Sequence, residues 1–115
     1  MNESEEVVEK KKQMPKAEDI KYHIHPTYFF DYDDEENTWE IEINLPGVKK
    51  KNVSFKVLDD AFQLLAVRDQ ALYHLEESLP CLIDRKSVEG KYENGLLKIK
   101  GKIKNPMEDA VKIEL

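Results

Sequence analysis

A single cysteine, Cys81, stands among the 115 residues, so no internal disulfide can form. A reducing compartment suits such a chain, and the expected location is the cytoplasm. Only four glycines are present, and turns or strands claim each of them, which leaves no glycine-rich loop to wrap a phosphate. No window approaches the ~18 apolar residues of a membrane span. The opening MNESEEVVEKKKQM lacks the apolar centre of a signal peptide, so no membrane partner is expected. Positive charge is also in deficit, with 18 Lys and Arg against 24 Asp and Glu and a net charge of −6. Nucleic acid is therefore not an expected partner, because phosphate binding needs a basic face. Helical periodicity and internal repeats are missing as well.

What remains is a chain with 37% charged residues whose 40% hydrophobic content is gathered in periodic clusters. A domain of this length buries roughly two-thirds of its unfolded surface, enough for one core. Residues 1–21 are dense in charge, and Pro15 breaks them. Asn2 with Glu5 offers a weak capping box and Glu6 with Lys10 an i,i+4 pair, but so short a polar helix is marginal in water. This segment reads as a flexible arm.

From Thr27 the period becomes two. Tyr28, Phe30 and Tyr32 alternate, DDEEN marks a turn, and Trp39, Ile41 and Ile43 alternate with Glu40, Glu42 and Asn44. LPGV at residues 45–48 ends that strand, since Pro46 donates no hydrogen bond and Gly47 permits a positive φ. Val53, Phe55 and Val57 form the next alternation, FQLLAV at 62–67 returns after Asp59-Asp60, and LYHLEESL at 72–79 follows RDQA. A short strand over 88–92 leads through Glu93-Asn94-Gly95 into Leu97, Ile99 and Ile103, with Lys98, Lys100, Lys102 and Lys104 on the other side. An Asn-Gly pair between strands predicts a positive φ at Gly95. Seven or so short strands without long helices predict an all-β fold, an antiparallel immunoglobulin-like β-sandwich. The lysine row is its wet face.

Reactive side chains give no enzyme. His23 and His25 alternate on one side of an extended segment, a spacing that starts some metal sites, but no cysteine or second histidine cluster lies close in sequence. Cys81, between Pro80 and Leu82, has no basic neighbour to activate it and reads as a small hydrophobe. DYDDEEN at 31–37 lacks the glycine and ligand order of a calcium loop. The expectation is no catalytic residue, no metal and no cofactor.

The order of motifs resembles the alpha-crystallin domain of the small heat-shock proteins. LPGV at 45–48, KKKNVSFKV at 49–57, SLP at 78–80 and GKYENGLLKI at 90–99 are similar to that family's successive signatures across about residues 27–115. YENG followed by two leucines is the most specific of them, and Leu45, Pro46, Gly47, Gly95 and Leu97 are the positions that carry the likeness. The resemblance implies a β-sandwich over 22–104 and ATP-independent holding of unfolded or partly unfolded client proteins. It also implies an extension over 105–115 whose VKIEL is similar to a tail segment that docks as an added strand in a neighbouring subunit. Val111, Ile113 and Leu115 are its anchors, used as Val111 with Ile113 or as Ile113 with Leu115; a last strand folded back on its own domain is the other reading. By register, Val53, Phe55, Val57 and Val88 are the candidate groove residues, and which face of 52–58 lines the groove stays open. One departure stands out. RDQA spans at most ~14 Å, too short for a loop that crosses into a partner and returns. The prediction is a monomer or an edge-paired dimer, and the short connection is similar to that of CS-domain co-chaperones, which recruit specific partners.

Overall fold

The structure, a computed structural model, describes residues 20–105, 107 and 110–115. The predicted helix-capping contacts of the first residues lie outside these. Eight strands occur in the order β1 (Tyr22–Ile24), β2 (Tyr28–Asp33), β3 (Thr38–Asn44), β4 (Val53–Val57), β5 (Ala61–Arg68), β6 (Ala71–Ser78), β7 (Ile83–Glu93) and β8 (Leu96–Ile103). They form two four-stranded sheets, β1-β6-β5-β4 and β2-β3-β8-β7. The predicted sandwich is what the chain builds.

Alternation determines the register. On β3, Trp39, Ile41 and Ile43 are buried while Glu40 and Glu42 point outward, and β8 answers with Leu97 and Ile99 inside. Ile41 pairs with Ile99 and Ile43 with Leu97. Phe62, Leu64, Ala66, Tyr73 and Leu75 supply the facing layer from β5 and β6. Full burial of each large side chain contributes about 1.5–3 kcal/mol, so a one-residue slip that exposed such a row would be strongly disfavoured. Each outward lysine of β8 at 98, 100 and 102 lies opposite a carboxylate on at least one neighbouring strand. Glu42 and Lys91 flank Lys98, with a Lys98–Glu42 contact of 3.7 Å, and Glu40 and Glu89 flank Lys100. That face is a mixed-charge ladder.

Two elements differ from the sequence expectation. β1 was not predicted, and it pairs parallel with β6, the one parallel pair among the described strands. Three residues without a neighbouring partner leave too short a pattern to recognise. β7 is eleven residues long, running back to Ile83, because a bulge carries it through the charged run at 84–87. Within the bulge, the Ser87 hydroxyl donates to the Asp84 carbonyl at 2.7 Å and accepts from the Lys102 N–H at 2.8 Å. A side chain thus stands in for a missing backbone partner. The β5–β6 connection is tight, only Asp69-Gln70, with Asp69 at φ 55°. At the β7–β8 hairpin, Asn94 and Gly95 have φ of 51° and 80°, the pair of positive angles that a type I′ turn requires.

A candidate binding groove between two sheet edges

β4 is the last strand of one sheet and β7 the last of the other, so each presents one unpaired backbone edge on the same side of the sandwich. Between them lies an open cavity of about 330 Å³. Val53 and Phe55 form the β4 wall, Val88 and Tyr92 the β7 wall, and Leu97 and Ile99 the floor. Lys50 and Lys91 stand at its rim. Because inward residues of β7 alternate, Gly90 falls between Val88 and Tyr92, where a Cβ would lie 2.9 Å from Ile99 Cδ1. Its missing side chain leaves an apolar notch. Alternate side chains of an added strand would enter such a cavity while backbone bonds form along the edge.

The groove rests on the turn at 45–48. Tyr92 Oη lies 2.8 Å from the Leu45 carbonyl and 2.6 Å from the Val48 carbonyl, its one proton available to either. The Leu45 N–H donates to the Gly95 carbonyl at 2.7 Å, and Arg68 Nη1 donates to the Pro46 carbonyl at 2.8 Å. A Cβ on Gly95 would sit 3.2 Å from Pro46 Cα, so the two turns approach at backbone distance. Leu45, Pro46, Gly47 and Gly95 therefore serve as scaffold, while Leu97, buried beneath them, also floors the groove.

Burial, followed by the proximity of Tyr73, raises the Tyr92 phenol above its ordinary 10.0. The folded state holds the phenol proton more tightly than the unfolded chain, so this group's contribution is complete below pH 10.0 and is lost as pH rises through the folded pKa. Tyr92→Phe leaves both carbonyls without the hydroxyl and is expected to cost about 1–3 kcal/mol in urea unfolding at neutral pH. The variant should also lose part of the alkaline fall in stability. An unfolding midpoint equal to that of the parent at neutral pH would refute this role.

Of the four predicted groove residues, Val53, Phe55 and Val88 come together here. Val57 does not join them. It lines a separate cavity of about 560 Å³ with Leu58, Phe62 and Glu77, near the far end of β4. The strand register alone could not separate these ends. Val53, Phe55 and Val57 are half-buried against the core, so the inward face of β4 serves core and groove together. Sequence reading missed Gly90, Tyr92 and Ile99 as groove residues, although Tyr92 stood in the hairpin motif itself. Residues 110–115 form no strand, and Val111, Ile113 and Leu115 are exposed, the first two at 78% and 69%.

No protein-family model and no curated protein sequence matches the chain. Solved structures do. Heat shock protein 16.0 from Schizosaccharomyces pombe superposes with a TM-score of 0.63 at 17% identity, covering 80% of this chain and 98% of that one. A small heat-shock protein from Xylella fastidiosa gives 0.60 at 13% identity, over 78% and 94% of the two chains. The small heat shock protein AgsA from Salmonella typhimurium, truncated at its C-terminus, gives 0.54 at 21% identity, over 78% and 97%. The fold is that of the small heat-shock proteins.

Proposed function

We propose that this protein is an ATP-independent chaperone of the small heat-shock type, not an enzyme, which holds partly unfolded proteins and suppresses their aggregation. The observation that carries the reading is the groove, an apolar notch between two free strand edges on a sandwich of that fold. An unfolding protein offers extended segments with alternating apolar side chains, the form such a mouth accepts. The mixed-charge outer ladder and the acidic balance keep a loaded complex in solution. On this reading the protein works in the cytoplasm on client proteins, and its own tail anchors Val111, Ile113 and Leu115 compete for the groove. The sandwich over 22–104 is the binding unit, between an arm and an extension.

Light scattering of a heat-labile client tests it. Addition of the protein at equal mass is expected to lower scattering severalfold, and Val88→Asp, which puts a charge into the groove wall, should abolish most of that protection while the far-UV spectrum stays unchanged. Full protection by Val88→Asp would remove the groove from the mechanism. A second reading, a CS-domain-like module that recruits one specific partner, is favoured by the two-residue β5–β6 hairpin. It leaves no strand to exchange between subunits, so self-association through edges or the tail is the remaining route to a dimer. Absence of suppression against several clients would select this second reading.

A further inference from the structure

The parallel pairing of β1 with β6 gathers all three histidines of the chain into one cluster. His23 lies opposite Leu72 and Ile24 opposite Tyr73, which brings His25 level with His74. The ring centroids of His25 and His74 are 4.5 Å apart and those of His23 and His74 are 5.8 Å apart, both pairs edge to face. His23 and His25 are exposed and His74 is half-buried, on the side of the sheet away from the core. Among the described residues, no hydrogen bond or ion pair engages any of the three rings. Glu76, the next outward residue of β6, is held by Gln63 Nε2 at 2.8 Å.

We propose that His23, His25 and His74 are a binding site for one divalent transition-metal ion of the zinc and nickel class, which ties β1 to the sandwich. Ring nitrogens sit ~2.0–2.1 Å from such an ion, so two imidazoles sharing it in tetrahedral geometry have centroids about 5 Å apart. The two observed separations bracket that value. Residues two apart on a strand are ~6.6 Å apart and adjacent strands ~4.8 Å, so His23 of β1, His25 just past its end and His74 of β6 make a triangle on a single face. In the structure, among the described residues, no three donor side chains already converge on a point. Binding would require rotation about the side-chain bonds of the two exposed rings, His23 and His25, toward the half-buried His74, which ordinary rotamers permit. Three imidazoles leave a fourth position to water or to an outside ligand.

Such an ion would act on the weakest attachment in the sheet. β1 has three residues, and beneath it β6 would be an edge strand. Metal bound across the pair adds its binding free energy to that docking and keeps the β6 edge covered. Calorimetric titration of the untagged full chain with zinc chloride should show saturable uptake of one ion per chain. Proton NMR with nickel should broaden all three histidine ring signals, which are the only ones the sequence contains. His74→Ala and the double variant His23→Ala/His25→Ala should each weaken zinc binding by at least about tenfold, whereas Cys81→Ser should not. The inference is overturned by lack of saturable binding, by broadening of a single ring signal, or by parent affinity in His74→Ala. If a variant misfolds, the NMR experiment on the parent chain decides alone.

Discussion

Trp39→Ala is expected to lower the free energy of unfolding by about 3–5 kcal/mol, read from the urea midpoint at constant slope. The indole is 1% exposed, and its Nε1 donates to the Lys102 carbonyl at 3.1 Å. Gly101 gives it room, since a Cβ there would lie 3.0 Å from the ring. Removing the side chain opens a void that β3 and β8 cannot close, because their register is fixed by the Ile41–Ile99 and Ile43–Leu97 pairs. For a domain with about 5–15 kcal/mol in total, that is a large fraction, and much of the population should be unfolded in mild denaturant. A loss below about 1 kcal/mol would show that the two sheets do not depend on this anchor.

Truncation after Met107 is expected to raise the binding of an apolar dye severalfold and to lower any oligomer size, with the far-UV spectrum preserved. Two apolar anchors contribute about 3 kcal/mol on full burial, before the entropy of ordering the segment is subtracted. On the proposed function, docking of that strength would be reversible, and an unfolding client would displace it. Since 110–115 pairs with no strand in the structure, its removal leaves both sheets whole. Unfolding of the truncated chain would mean that the segment is integral to the domain, and self-capping would be wrong.

The sequence made the sandwich legible where an alternating row is long and its partner near. Trp39-Ile41-Ile43 and Leu97-Ile99 announced their burial, and Asn94-Gly95 announced its turn. Reading failed where pattern gave way to distance. β1 pairs with a strand some fifty residues on, so nothing local marks it, and for the same reason His74 could not be joined to His23 and His25. The first part of β7 is not legible in the sequence, because Asp84-Arg85-Lys86-Ser87 has no alternation and is kept in the sheet by the Ser87 hydroxyl. The groove was partly visible. Half-burial gives Val53, Phe55 and Val57 the same signature, and only the placement of β7 opposite β4 decides which of them face the notch.

The β7 bulge also sets a ruler. The β7 wall of the mouth runs from Val88 to Tyr92, five residues, and β4 opposite runs only from Val53 to Val57, with Val53 and Phe55 facing the notch. At ~3.3 Å per residue the usable edge is ~17 Å long, and a strand laid along it sends two or three side chains inward. Longer segments overhang, and segments with bulky residues at adjacent positions fit on one side only. VKIEL has that span. With Lys50 and Lys91 at the rim, seating Ile113 and Leu115 places Glu114 between the plugs as an opposite charge, whereas seating Val111 and Ile113 places Lys112 there as a like one. On the proposed function, a mouth of this length and sign would select by register, preferring short apolar alternations that carry a carboxylate at the middle position.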